Sequence, residues 1–469
     1  MLAPLPSPTL WHHDTPLTPT FPTGLNGKPP EANPRASLAA FLSFLFPGLG
    51  QAYNGQSALA GILAAPAFIL VAAVVGALTI VGSGLLARLF DVRFLVGLIV
   101  LDLALLGWRL IAVIQAHTHH GRPARRQWTT WMTGLLVAAT LGMHLLPAWY
   151  AVKAIDTLDS VALGGSGGDL DHALPIFSGL PEPSGQPDVD AGERVNVLLV
   201  GVDSAPGRVT ALTDTMLVVS LDTTGSRSAM VSIPRDLYGV LLPSGQPYNR
   251  KLNSLMTYAD ARPDEFPLGG VGTLKATIGK LLGVPIHYFA AINLLGFKDA
   301  VDAIGGVDIT VTRAINDPTY NDEYGTRVGF YLQPGTYHMN GRTALAFVRS
   351  RKGAGDSDFT RADRQQQLLA ALREQLTAGN LLLTLPGLLD AVKNTIATDV
   401  PRNRFAQLAQ AVQEADMSRL ERIILQPPEF MSVDAHSAAG YILLPNFDAI
   451  RGVGESLLSE PTVPPEAQP

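Results

Sequence analysis

Val195-Asn196-Val197-Leu198-Leu199-Val200-Gly201-Val202-Asp203-Ser204 is the stretch on which the fold turns. Val195–Val200 reads as a buried strand, and Gly201-Val202-Asp203-Ser204 closes it on an acid and a hydroxyl. Met216–Leu221 and Ala229–Ile233 read as two more strands, with helical patterns at Leu252–Asp260 and Thr273–Leu282. Tyr288–Ile292 and Val307–Val311 read as strands around a helix at Leu295–Ile304, and Gly305-Gly306 as a tight turn with positive φ. Arg361–Leu376 is a strong helix with Asp358 or Thr360 near its N-cap. Helices near Leu388–Thr395 and Arg402–Ala415 and a strand near Glu421–Leu425 follow. Strands interleaved with helices predict an α/β fold over residues 193–457: an α-β-α sandwich, one central sheet with helices on both faces.

Upstream, the composition changes. Residues 153–192 hold Gly164-Gly165-Ser166-Gly167-Gly168 among Pro, Asp and Ser, the make-up of a flexible linker. From Ala36 to Ala87 there is no Asp, Glu, Lys or Arg at all, which predicts a membrane-embedded region over residues 36–152. Three segments reach the ~20 apolar residues that a crossing takes: about Ser57–Ile80, Phe94–Ile114 and Thr129–Tyr150. Trp128 and Trp131 lie near one end of the third, Trp149 and Tyr150 at the other, as headgroup-level rings do. Ala36–Gly50 would span only about 22 Å as a helix and is broken by Pro47 and its glycines, so it reads as a half-crossing or re-entrant hairpin. The loop His117–Gln127 carries Arg122, Arg125 and Arg126, which marks it cytoplasmic. The third span then leaves the cytoplasm, making a multi-pass membrane protein whose C-terminal domain is extracytoplasmic. Residues 1–35, rich in Pro, Thr and Ser, read as a disordered cytoplasmic tail, and residues 458–469 as a disordered end.

The whole chain of 469 residues has a net charge of −6, 47% hydrophobic and 16% charged residues, and no cysteine. The zero cysteine count excludes a disulfide framework, a thiolate metal site and a Cys nucleophile. The mild acidity argues against nucleic-acid binding by bulk positive charge.

In the extracytoplasmic part, charge gathers in short clusters at strand and helix ends. They are Asp203, Thr213-Asp214-Thr215, Ser232-Ile233-Pro234-Arg235-Asp236, Val348-Arg349-Ser350-Arg351, and Ser357-Asp358-Phe359-Thr360-Arg361 with Arg364 and Gln365. Ligands of open α/β sheets bind beyond the carboxyl ends of strands. On a helix Arg361 shares a face with Gln365 and with Arg364. Guanidinium groups converging near a helix N-terminus suit a phosphate or pyrophosphate, and Asp203 with Asp214 suits a hard divalent cation on the same oxygens. The bland alternatives are structural ion pairs for Arg235 and Asp236 and turn-capping for Asp203 and Asp214. His117, His119 and His120 read as a solvated loop rather than a metal site. Asp102 and Arg109, seven apart on one helix face, read as structural.

These pieces, in order, together with Lys251-Leu252-Asn253, Leu282-Gly283-Val284 and Gly305-Gly306-Val307, resemble the LytR–CpsA–Psr family of bacterial cell-envelope enzymes across about Arg194–Leu376. The resemblance implies transfer of a glycopolymer, such as a teichoic acid or capsule polymer, from a polyprenyl pyrophosphate carrier to a peptidoglycan hydroxyl. By position, Arg235, Arg349, Arg351, Arg361 and Gln365 would grip the pyrophosphate, with Arg364 beside them as a substrate contact. Asp203 and Asp214 would hold Mg²⁺ (or Mn²⁺). Lys251, Asp236 and Asp358 would be supporting polar groups, and the helices around Leu252–Leu282 would line a tunnel for the isoprenoid tail. Other partners would be membrane lipid, with no nucleic acid. Two readings compete: a polyprenyl-pyrophosphate pyrophosphatase using water, and a non-catalytic envelope sensor or regulator. The sequence departs from the family in having several spans instead of one, which suggests a fusion. Ser43–Gln56 is similar to a motif of small multi-span bacterial membrane proteins. Asp317–Phe330, the least family-like segment, reads as a surface loop.

Overall fold

The computed structural model describes residues 34–81, 88–119, 127–161, 194–203, 212–221, 228–377, 387–388, 390–391, 396–415 and 419–459. They fall into two compact units, one drawn from Met1–Ala72 with Leu103–His144 and the other from Ala73–Asp102 with Leu145–Pro469.

The N-terminal helices are α1 (Pro34–Leu45), α2 (Leu49–Tyr53), α3 (Ser57–Val81), α4 (Val92–Thr118) and α5 (Gln127–Val161). Three of them are long and apolar enough to cross a membrane by length and composition, over Ser57–Gly76, Val92–Thr118 and Trp131–Val161. The third runs on as helix to Val161, eleven residues beyond the expected end at Tyr150. Between α1 and α2 the chain reverses at Gly48 (φ 101°). A Cβ on Gly50 would lie 2.0 Å from the Ala39 carbonyl, so only glycine lets the two helices meet there. Arg109 donates to the Phe44 carbonyl at 2.6 Å, satisfying an orphan acceptor at the end of α1. Gln51 donates to the Ala112 carbonyl at 2.8 Å and to Gln115 Oε1 at 2.9 Å. Arg109 is thus structural, as its sequence position implies. His117, by contrast, is not in a solvated loop: it lies in the last turn of α4, is buried, and its Nδ1 lies 3.0 Å from Thr133 Oγ1. His120 and Arg122, Arg125 and Arg126 lie outside the described residues.

The second unit is built on a six-stranded mixed sheet. Its strands are β1 (Val195–Asp203), β2 (Leu212–Leu221), β3 (Ala229–Ser232), β6 (Tyr288–Asn293), β11 (Ile396–Thr398) and β12 (Glu421–Ile424), in the order β11-β6-β1-β2-β3-β12. β1 runs parallel to β6 and antiparallel to β2. Smaller two-stranded sheets accompany it: β4 (Tyr238–Leu241) with β5 (Pro247–Lys251), β7 (Val307–Val311) with β10 (Gly335–Met339), β8 (Ile315–Asp317) with β9 (Phe330–Leu332), and β13 (Met431–Ser437) with β14 (Gly440–Pro445). Helices α6 (Leu255–Asp260), α7 (Gly269–Leu282) and α12 (Phe447–Val453) cover one face of the sheet. Helices α8 (Leu294–Ala303), α9 (Gly341–Arg349) and α10 (Asp358–Thr377) stand against the other; α11 (Phe405–Glu414) follows β11. The expected sandwich is therefore present.

Period-two alternation assigns each strand residue to one face. Leu198, Val200 and Val202 of β1, Met216 and Val218 of β2, and Phe289 and Ala291 of β6 point into a core with Leu252, Leu255, Leu274 and Ile278, all buried. Leu199, Leu217, Ala290 and Ile292 point to the opposite face. The Gly305-Gly306 turn has φ of 87° and 98°, as read from sequence. α10 begins three residues before Arg361, and its cap is Ser357, next to Asp358 and bonded to Thr360. Thr360 N donates to Ser357 Oγ at 3.2 Å and Ser357 N to Thr360 Oγ1 at 2.8 Å, a reciprocal capping pair. The helix expected near Leu388–Thr395 lies largely outside the described residues.

Candidate active site

A β-bulge sets the site. Gly201 pairs with Thr215 and Val202 with Thr213, leaving Asp214 as the extra residue. Without the bulge, alternation would put Thr213 on the face of Thr215 and Leu217. Instead Thr213 turns into the core, donating to the Asn253 carbonyl at 3.2 Å, and Asp214 joins Thr215 on the other side. Gly201 is needed opposite: a Cβ there would come within 3.0 Å of Thr215 Cβ. Thr215 Oγ1 in turn accepts from Gln365 at 2.9 Å, which fixes the amide on α10.

Asp203, Asp214, Thr215, Arg349, Arg351, Lys352, Arg361 and Gln365 all border one cavity of about 480 Å³. Its interior is apolar. Leu199, Leu217, Ala290 and Ile292 of the sheet face Phe297, Leu345, Leu368 and Leu369 of the helices. Arg361 and Gln365 share the cavity, as their spacing predicts. Arg364 does not: it donates to the Ser350 carbonyl and sits 3.5 Å from Asp356, holding the segment behind the site. A separation of three carries it to the far side of Arg361 from Gln365, about 100° per residue round the helix.

The cations are interlocked with carboxylates. Arg235 Nη1 meets Asp214 Oδ1 at 2.7 Å, and its Nε lies 3.6 Å from Asp236 and 3.7 Å from Asp358. Arg361 reaches Asp358 at 3.2 Å and donates to the Asp214 carbonyl at 3.0 Å. Arg351 lies 3.5 Å from Asp358, Arg349 3.8 Å from Asp203, and Lys251 2.8 Å from Asp236. Five cations against four carboxylates leave one net positive charge. Burial works against the charge on Arg235, but Asp214, Asp358 and Asp236 outweigh it and hold its pKa above the usual value. Arg361 is buried more deeply. Its desolvation, only partly offset by Asp358 and reinforced by Arg235, lowers its pKa. Guanidinium stays protonated in either case. Arg235 and Lys251 are placed one layer behind the cavity wall, through Asp214 and Asp236, rather than in it.

Two features escaped the sequence. The segment 317–330 is not simply a surface loop: Asp317, Tyr320, Asp322 and Glu323 are buried, and Asp317, Tyr320 and Asn321 line the cavity. Asp317, 2% exposed, accepts from Ser350 Oγ at 3.1 Å and from the backbone N–H of Arg351 and Lys352 at 3.2 Å. Burial opposes its charge, yet its bonds from Thr319, Lys352 and Ser350 prevail and lower its pKa. Asp317 therefore hangs the segment that carries Arg351; the Asp317-Pro318 pair, a turn initiator, was the signal. The second is the apolar cavity itself. The helices at Leu252–Leu282, expected to line a tail tunnel, are closed into the core on the other sheet face.

The LytR_cpsA_psr family model matches residues 179–441. Over 253 residues the chain is 31% identical to the polyisoprenyl-teichoic acid–peptidoglycan teichoic acid transferase TagU of Bacillus mycoides, covering 54% of this chain and 73% of that one. The same-named protein of Oceanobacillus iheyensis is 27% identical over 289 residues, 61% of this chain and 81% of its own. The crystal structure of B. subtilis TagV aligns with a TM-score of 0.45 at 23% identity, over 57% of this chain and 96% of that one.

Proposed function

The chain belongs to the LytR–CpsA–Psr family, and on that premise we propose that it moves a glycopolymer from a polyprenyl pyrophosphate carrier to a peptidoglycan hydroxyl. It is a transferase acting on polyisoprenyl-linked glycopolymers. The observation that carries the finer reading is that one cavity combines apolar walls with a polar end bearing Arg349, Arg351 and Arg361. That combination matches one molecule with a greasy tail and an anionic head. Arg349, Arg351 and Arg361 grip the pyrophosphate oxygens, and Gln365 orients them. Arg235 keeps Asp214 aimed at that end, while Lys251 and Asp236 brace Arg235 from behind. The acceptor oxygen bonds to the sugar-bearing phosphorus, the P–O–P bridge breaks, polyprenyl phosphate leaves, and the hydroxyl proton passes to a neighbouring carboxylate. Such transfer needs positioning and charge neutralisation more than covalent help.

Among the described residues no group of three His, Cys, Asp or Glu could hold a metal alone. Mg²⁺ is commonly bound by one or two carboxylates and completed by substrate phosphates. Asp203 and Asp214, both lining the cavity, fit an ion of that kind, Mg²⁺ or Mn²⁺, arriving with the pyrophosphate. When bound it would neutralise phosphate charge.

The test uses purified full-length protein, a polyprenyl-pyrophosphate oligosaccharide and soluble peptidoglycan strands, with products read by mass spectrometry. Conjugate should form only with acceptor, and Arg349→Ala or Arg361→Ala should cut the rate roughly 100- to 1000-fold. Lipid phosphate released equally without acceptor would make the protein a pyrophosphatase. Full activity in both variants would remove the arginines from the mechanism.

We further place the site outside the cytoplasmic membrane. Leu95, Ala154 and Leu158 pack with Phe405, so the start of α4 and the end of α5 lie on the side of the catalytic domain, while the other ends of the two helices are joined through Arg122, Arg125 and Arg126, whose positive charge favours the cytoplasmic side. Because the chain has no cysteine, Tyr324→Cys, on an exposed side chain, gives a single thiol. A membrane-impermeant maleimide should label it in intact cells; labelling only after lysis would invert the topology.

A further inference from the structure

Beside the arginines lies a second cleft of about 320 Å³, bordered by Arg235, Asp236, Asp358, Phe359, Tyr441 and Leu443. It shares only Arg351 and Lys352 with the apolar cavity, so the two spaces adjoin at that pair. The hairpin β13–β14 supplies Tyr441 and is fastened to the site: Leu443 N donates to the Asp236 carbonyl at 3.0 Å, and Leu443 bridges Leu237. Tyr441 is nevertheless 42% exposed. A partly exposed ring that shares a cleft with carboxylates matches the two needs of a saccharide: an apolar platform for its C–H face and acceptors for its hydroxyls.

Direction selects which saccharide. In phosphoryl transfer the attacking and leaving oxygens stand roughly in line on opposite sides of phosphorus. With the lipid in the apolar cavity, the leaving oxygen points into that cavity and the nucleophile must come from outside it, and the cleft that adjoins it at Arg351 and Lys352 is open to such an approach. We propose that this cleft binds the acceptor sugar of peptidoglycan, with Tyr441 as its stacking platform. The assignment rests on the transferase reading above. Burial, and then Asp236 and Asp358, raise the pKa of Tyr441, so its hydroxyl stays protonated as a donor toward the sugar.

The test is steady-state transfer by the full-length protein with donor and acceptor varied separately. Tyr441→Ala should raise KM for the acceptor strand about tenfold with kcat and donor KM within about twofold, and Tyr441→Phe should restore acceptor KM to within about threefold. Tyr331→Ala, which removes a 60% exposed ring of β9, serves as control and should leave acceptor KM unmoved. If wild type makes conjugate but Tyr441→Ala keeps its acceptor KM, or raises donor KM instead, the cleft is not the acceptor subsite. If wild type makes no conjugate, the transferase reading itself fails.

Discussion

The two faces of the central sheet are drawn from the same strands and the same residue types, yet they end differently. On one face Leu198, Val200, Met216 and Phe289 meet Leu252, Leu255, Leu274 and Ile278 and are sealed from water. On the other, Leu199, Ala290 and Ile292 remain half-buried around about 480 Å³ of space. Close packing is the default of protein interiors. A face whose apolar residues are left partly uncovered leaves room for a guest, and on the function proposed above the arginines beside it meet that guest's anionic head.

Substitutions on the two faces sharpen this contrast. Leu274→Ala, on the sealed face, should lose about 2–5 kcal/mol of folding stability, read by chemical denaturation. A loss no larger than that of Leu199→Ala on the cavity face would erase the distinction. Asp317→Asn, which weakens the hanger of the Arg351 segment, should lose about 1–3 kcal/mol at neutral pH. Because the folded pKa of Asp317 is depressed, its contribution is fully present above the unfolded carboxylate value of about 3.9 and is lost as pH falls through the lower folded value. The gap between wild type and variant should therefore close below about pH 4 in melting curves; a constant gap would show that the Asp317 charge is not what matters. Ile292→Trp, filling the open face, should alter stability by about 1 kcal/mol or less while weakening binding of long-chain polyprenyl substrates about tenfold. Short-chain analogues should be spared. Equal effects on both chain lengths would mean the tail does not enter this cavity.

Much of the site was legible residue by residue. The apolar run Val195–Val200 located the central strand, Gly305-Gly306 the turn between α8 and β7, and the Asp and Arg clusters the ends of strands and helices, because apolar runs and turn chemistry are local properties. The helix spacing of Arg361 and Gln365 was read correctly for the same reason. Arg364 was misread because both i+3 and i+4 count as neighbours on a helix, and only packing decides which faces the cavity. The tail tunnel was assigned to Leu252–Leu282 because an apolar helix face has one signature whether it closes a core or lines a pocket. His117 and the 317–330 segment were misread in the same way: burial of a polar side chain depends on partners distant in sequence, Thr133 for one and Ser350 for the other.

The sequence by itself determined five of the six strands of the central sheet, the membrane-length helices and the family, since each is written in periodicity, hydropathy or ordered motifs. The tertiary structure alone decided which sheet face stays open, which cations line its cavity and which stand behind. Those outcomes depend on a single bulge at Asp214 and on side chains more than a hundred residues apart, such as Thr215 and Gln365, whose meeting no local pattern encodes.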